Sequence, residues 1–364
     1  LTDQGNFAEQ WTGDLSIGLG DNANGQYGAL GLWACARGGF PAKVKLWRAI
    51  DEYWRSSQEP TPADKAAGWA VESLDPDQDQ SGNRGQRTHG SSNDRLRFYR
   101  RVSGPMTAGG VATLALTERY LRGAKMTKPG DHISRELKNG LRWLDEHFSL
   151  DDPEEQSDWY FYMWTIQRVG HATGYRNFNG IDWHREATRH MLDRQDSDGT
   201  WTGPKGTLLS TGFAVLYLSQ ANTSLAISKL RFDGNWNSRP HDLWNFADYV
   251  SQTCENHTTW QIVNADLPVQ VLVESPLLLL ACDGSFRFNN QQIKNLRDYI
   301  HAGGLILTNA DQPSSRVSTS LRKLVSDLFD KKSLKPLDRQ HELYRLHQHL
   351  VKSVPMQVMD NGIR

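Results

Sequence analysis

The sequence predicts a chain in two parts, an all-helical part built of paired helices followed by an α/β part. Three observations predict it. Up to about residue 222, helices that are apolar nearly all round alternate with helices that are apolar along one face. A corner made of Gln, Gly and Trp recurs where the one-faced helices end. From residue 229 onward the pattern changes to short apolar runs alternating with amphipathic helices.

In the first part, residues 1–25 are polar and Gly-rich and read as a loop, and the first residue is Leu rather than Met, so the chain is expected to start inside a longer protein. Gln26–Arg37 is a small, apolar helix that Gly38, Gly39 and Pro41 end. Pro41 is expected to open the next helix, with Val44, Trp47, Ile50 and Trp54 along one face. Residues 59–102 form a long polar segment. Its Asp75, Asp77 and Asp79 suggest a calcium loop, but Gln80 stands where that loop needs Gly and its last ligand Glu is missing, so a solvated loop is the better reading. Ser103–Arg122 is a second all-round apolar helix, and His132–Phe148 is its one-faced partner, with Leu137, Leu141 and Leu144 turned inward.

Ser157–Thr173 is a third apolar helix, unusually aromatic in Trp159, Tyr160, Phe161, Tyr162 and Trp164. From Ile181 a one-faced helix follows, with Trp183, Ala187 and Met191 four residues apart. Leu208–Leu218 is apolar almost without interruption, and such a helix is expected to be covered on most sides. Between the two lies Gln195–Trp201, where Asp198-Gly199 favours a turn with positive φ. The Gln amide there suits orphan backbone groups at a helix end, and the indole suits packing across the joint.

Gln195, three residues, Gly199, one residue and Trp201 resemble the QW motif of the squalene cyclase and prenyltransferase superfamily of α/α toroids. A weaker copy has Gly140, Trp143 and Leu144 in the positions before the Gln, but Phe148 in place of the Gln itself. A further copy has Tyr53 and Gln58, then Gly68 and Trp69 after a lengthened loop. Imperfect copies that each close a one-faced helix mark a repeat array. The resemblance implies a partial toroid over residues 1–222, with about three and a half pairs of inner and outer helices and the remaining pairs expected upstream of Leu1. Inner helices of such a toroid line a central cavity, which makes Trp159, Tyr160, Tyr162 and Trp164 candidate lining residues.

In the second part, Lys229–Phe232 and Trp260–Val263 read as strands around a helix over Pro240–Cys254. Leu277–Ala281 is a fully apolar run, a buried strand. Asn289 caps the next helix with Gln292 three residues later, Ile293, Leu296 and Ile300 face inward, and Gly303-Gly304 ends it before the strand Leu305–Thr308. Strand, helix, strand over that distance is a right-handed parallel crossover, and Ser314–Phe329 is another helix. The run from Pro276 through Leu280, the stretch Leu296–Leu307 and the tetrad His341–Tyr344 resemble the bacterial family called domain of unknown function 4159. That resemblance implies a flavodoxin-like, class I glutamine-amidotransferase-like α/β domain over residues 229–364, expected to lack its last strands, and a fusion behind squalene-cyclase-type repeats.

Lys plus Arg number 41 against 42 Asp plus Glu, which gives no electrostatic ground for nucleic acid as partner. No apolar run approaches the ~18 residues of a membrane span. Cys35, Cys254 and Cys282 show no metal spacing. The protonating cyclases use Asp-x-Asp-Asp, which neither Asp151-Asp152 nor Asp196 with Asp198 supplies. After Asp198 the helical part also offers no Cys and no matching His for a prenyltransferase zinc site. Cys282 follows a buried strand, where amidotransferases carry a nucleophile. Gly284 fits the small-residue elbow and Leu280 does not, and nothing in the spacing selects a partner among His341, His347 and His349. A buried, inert thiol is the better reading of Cys282. The expectation is therefore a binding protein without cofactor, metal or catalytic residue, taking a small molecule or protein partner through the toroid cavity or the α/β crevice. The alternative is an enzyme, either a cyclase-like lyase with its acid motif outside this sequence or a hydrolase using Cys282. Relatives with this fusion commonly carry export signals, which implies a place outside the cytoplasm.

Overall fold

The structure is a computed structural model, and it describes residues 22–59, 61–62, 65–71, 101–123, 133–151, 159–221, 223–255, 257–311 and 314–329. The Asp75–Asp79 stretch, the late histidines and the C-terminal tail lie outside the described residues. The chain divides into two compact units, residues 1–224 with 240–261 and residues 225–239 with 262–364.

The helical unit contains α1 (Asn22–Arg37), α2 (Val44–Ser56), α3 (Gly104–Gly123), α4 (Arg135–His147), α5 (Trp159–Thr173), α6 (Trp183–Asp193) and α7 (Thr207–Ala221). Helices α1, α3, α5 and α7 pack in succession; α2 and α4 lie on α3, and α6 lies against α5 and α7. The odd helices are thus one row and the even helices another. Sequence pattern explains the division. In α3, every residue from Pro105 to Glu118 is buried, as an all-round apolar helix with neighbours on every side must be. Helices α2, α4 and α6 each bury one stripe: Trp47, Ile50 and Trp54; Leu137, Leu141 and Leu144; Trp183, Ala187 and Met191. Each large side chain in those stripes contributes about 1.5–3 kcal/mol of transfer free energy.

Several expectations need correction. Helix α1 starts at Asn22, inside the stretch read as loop, because the Asn22 backbone N–H bonds Val71 O at 2.9 Å and its Nδ2 bonds Ala70 O at 2.9 Å. Those partners are far along the chain and invisible to local pattern. Pro41 does not open α2, which begins after Lys43, and Val44 is 38% exposed rather than on the buried stripe. Ile181 is not helical. It pairs with Phe178 in a short antiparallel ladder, β1 (Asn177–Phe178) and β2 (Ile181–Asp182), and Asp182 caps α6 by accepting from the Arg185 N–H at 3.0 Å. The largest correction concerns α7. It was expected to be covered on most sides, yet Leu208 is 88%, Leu209 51%, Val215 53% and Leu216 44% exposed. The physical reason is position: α7 is the last helix in its row among the described residues, so α5 and α6 cover one flank and nothing described covers the other.

Charge locks the near end of the rows. Arg55 on α2 bonds Asp51 at 2.6 Å, Glu118 of α3 at 3.1 Å and Glu136 of α4 at 2.9 Å. Thr117 donates to the same Asp51 at 2.7 Å. Helix α8 (Asp242–Thr253) also belongs to this unit, held through Asp248 to Arg119 at 2.7 Å and Arg37 at 3.2 Å.

The second unit is built on a sheet of order β4-β3-β5-β6, with β3 (Ser224–Arg231), β4 (Thr258–Asn264), β5 (Leu277–Cys282) and β6 (Leu305–Ala310). Strand β5 runs parallel to β3, with Leu278 opposite Ser228, and parallel to β6, with Leu278 opposite Ile306. Between the strands lie α9 (Val269–Leu272) and α10 (Asn290–His301), and α11 (Ser315–Phe329) follows β6. As the central strand, β5 is buried on both faces, which is why it reads as an unbroken apolar run. Leu278, Leu280 and Cys282 enter a core with Leu230, Leu296, Tyr299, Val317 and Leu321. The Asn289 and Gln292 side chains form both bonds of the expected capping box on α10. Gly303, at φ +98, turns the chain out of the helix, and a Cβ on Gly304 would lie 2.3 Å from the Tyr299 ring.

Candidate functional site

The corner residues come first. The Trp201 indole donates to Met191 O at 2.8 Å, in the last turn of α6. The Trp69 indole donates to Trp54 O at 2.8 Å, near the end of α2. Each indole therefore ties the following segment to a carbonyl in the last turn of a helix, a carbonyl that in α6 also accepts the Arg194 backbone N–H at 3.2 Å. A third indole bonds the chain beyond α4 rather than its last turn, and it is Trp159, bonded to Leu150 O at 2.8 Å. The weak copy around Gly140 and Trp143 gave no hint of this. Trp143 instead stacks on His147 with ring centroids 4.4 Å apart, beside an open depression lined by Glu59, Arg101 and Arg142. Gly140 sits inside α4, where a Cβ would lie 2.7 Å from the Trp69 ring, so the missing side chain makes room for that indole. The glutamines are less alike. Gln195 bonds Gly199 O at 3.0 Å within its own turn, whereas Gln58 bonds Ala67 O at 3.2 Å and Glu136 O at 2.9 Å.

The four aromatic residues named as cavity lining do not share one side of α5. Trp159 faces α6, 4.5 Å from the His190 ring, with Tyr160 edge-on to it. Tyr162 packs on Phe148, and a Cβ on Gly104 would lie 2.6 Å from its ring. Trp164 alone of the four joins a ring cluster that spans α1, α5 and α7. Tyr27 lies nearly parallel to it at 5.9 Å and 15°. Phe213 is 5.4 Å from Trp164 and 5.2 Å from Phe161. Tyr27 is 40% exposed, so one side of the cluster is open. At roughly 100° per residue, Phe161, Trp164 and Arg168 fall together on that side.

Arg168 extends the cluster by one turn. Its guanidinium carbon lies 5.0 Å from the centroid of the Trp164 ring, and Nη1 donates to Gln26 Oε1 at 2.7 Å. Burial pushes the Arg168 pKa down to about 10, partly offset by Tyr27. Burial likewise pushes the Tyr27 hydroxyl up to about 12, partly offset by Arg168. At neutral pH the site therefore presents one cation, one phenol and four rings.

In the second unit, the carboxyl ends of β5 and β6 carry the other candidate, Cys282. Its side chain is buried, and its thiol lies 3.6 Å from Asn309 O. Burial first, then Asp311 and Asp283, pushes the thiol up to about 11. Beside it the buried Asp311 carboxylate accepts from Ser238, from Arg239 Nε at 3.2 Å and from Asn309 Nδ2 at 2.8 Å. Buried Lys229 donates to Asn237 Oδ1 and Arg239 O, both at 2.9 Å. These two buried charges pin the loop that follows β3. Among the described residues, these groups hold one another.

The chain thus combines a helical unit of two rows with a unit built on a parallel sheet. Residues 224–362 match the model of a family described as a domain of unknown function, 4159, and the match opens at the first residue of β3. No curated protein and no solved structure matches the chain.

Proposed function

We propose that this is a two-part binding protein whose helical part holds a small apolar ligand against the rings of α1, α5 and α7. In this reading residues 1–222 are a partial α/α toroid, with the odd helices as its inner row, and residues 229–364 are an amidotransferase-like α/β domain. The three indole bonds, two to the last turn of an even helix and one to the chain just beyond α4, support the repeat reading. One observation carries the binding reading: Tyr27, Phe161, Trp164 and Phe213 pack ring to ring on a side that stays partly open. Clustered rings with an open side and a few placed polar groups are the usual chemistry of a small-molecule site. We read Cys282 as structural, because a thiol raised to about 11 holds almost no thiolate at neutral pH.

The test is titration of the full chain with naphthalene-sized ring compounds, followed by quenching of tryptophan fluorescence. Saturable quenching that Tyr27→Ala with Phe213→Ala abolishes supports the proposal. Unsaturable quenching, or quenching that the double variant leaves unchanged, overturns it.

A further inference from the structure

Resting on that binding reading, we propose that the ligand carries a single carboxylate, seated on the Arg168 guanidinium, with an apolar ring body against Tyr27, Trp164 and Phe213. Arg168 differs from the other half-buried arginines of this unit. Arg55, Arg119 and Arg176 each bond a carboxylate, at 2.6, 2.7 and 3.2 Å. Arg168 has Gln26 and a ring face, and no carboxylate within ion-pair distance among the described residues. A guanidinium carries five N–H donors and no acceptor, and one of them is engaged here, by Gln26. Keeping a cation away from water without a counter-charge costs free energy. An arriving anion relieves that cost.

The surroundings hold the guanidinium in place for such a partner. Gln26 is fully buried, and because an arginine only donates, the Gln26 amide oxygen must face Arg168. That leaves the Gln26 Nε2 buried without an acceptor. A Cβ on Gly109 of α3 would lie 2.9 Å from the same amide oxygen, so the small residue there lets Gln26 reach its position. The Trp164 ring supports the guanidinium plane from α5 itself. The charge is single, which fits one carboxylate rather than a multiply charged head, and the planar fork matches carboxylate geometry. Tyr27, whose hydroxyl stays protonated, stands beside it as a further donor. The near-parallel Tyr27 and Trp164 rings favour a flat body over a bulky one.

The experiment compares 1-naphthylacetate with its neutral amide, 1-naphthylacetamide, by calorimetry and tryptophan quenching on the full chain. The acid is expected to bind at least about tenfold more tightly, with an advantage that shrinks in high salt. Arg168→Met should remove the acid's advantage, bringing acid and amide to similar affinities. Arg168→Lys should keep part of the preference, since it retains charge without the fork, and it serves as the second variant if the methionine form does not fold. Inorganic phosphate at millimolar concentration should not displace the acid. Equal binding of acid and amide, a preference that survives both substitutions, or displacement by phosphate overturns the carboxylate assignment and leaves the ring site standing. Failure of both naphthyl compounds to bind overturns the ring site itself, and this assignment with it.

Discussion

The indole nitrogen of Trp159 lies 2.8 Å from the carbonyl oxygen of Leu150, and this bond ties the first residue of α5 to the chain just beyond α4. Trp69 and Trp201 make comparable bonds one step earlier, to carbonyls inside the last turns of α2 and α6. A net hydrogen bond of this kind contributes about 1 kcal/mol. Trp201→Phe should therefore lower the unfolding free energy by about 1–2 kcal/mol, the added amount reflecting lost ring area. Urea denaturation followed by circular dichroism reads this directly. An unchanged midpoint and slope would count against a stabilising role for the bond.

Gly140 and Trp69 form a coupled pair. A methyl on Gly140 would sit 2.7 Å from the Trp69 ring and 2.6 Å from Val111, closer than side-chain contacts tolerate. Gly140→Ala should cost roughly 1–3 kcal/mol through overpacking, despite the better helix propensity of Ala. In the Trp69→Phe background the penalty should shrink, because the smaller ring vacates part of that space. The double-mutant cycle measures this coupling, and strict additivity would refute the contact.

The pH dependence of stability should report His171 on α5. Its pKa is held down to about 4 by burial first and then by His184, against support from Gln220. The unfolded value is near 6.5. A depressed folded pKa means that the unfolded chain binds the proton more readily between those values. Stability is therefore fully present above about pH 6.5 and falls as pH drops toward about 4. His171→Phe should flatten that part of the profile, measured as the denaturation midpoint against pH. A variant with the same acid slope as the parent would exclude His171 as its source.

Thiol labelling should separate the three cysteines. Cys35 and Cys254 are exposed and Cys282 is buried. With a thiol raised to about 11, Cys282 should react far more slowly than the other two in the native protein and join them on unfolding. Mass spectrometry after timed alkylation distinguishes them. Prompt modification of Cys282 at neutral pH would reopen a nucleophilic role.

The amphipathic stripes of α2, α4 and α6 were legible because helical spacing alone places Trp183, Ala187 and Met191 on one side. Strand β5 was legible because a central strand is apolar on both faces. What escaped depended on neighbours distant in sequence. Nothing local tells that Trp159, Tyr160, Tyr162 and Trp164 turn to different sides, because which side faces the opening is decided by α1 and α7. Tyr27, Phe213 and Arg168 were missed for the same reason. The hairpin before α6 left a trace, Asn179-Gly180, both at positive φ, which is the dipeptide such turns favour. Its strands, two residues each, are too short to show alternation.

The indole bonds carry one consequence further. Each joins an even-numbered helix, or the residues just after it, to the segment leading into the following helix, so its worth depends only on neighbouring elements. Architectures of that kind behave as one-dimensional arrays, with stability close to a sum over units and their nearest neighbours. Evolution can lengthen or shorten them by whole helix pairs without redesigning the joints that remain.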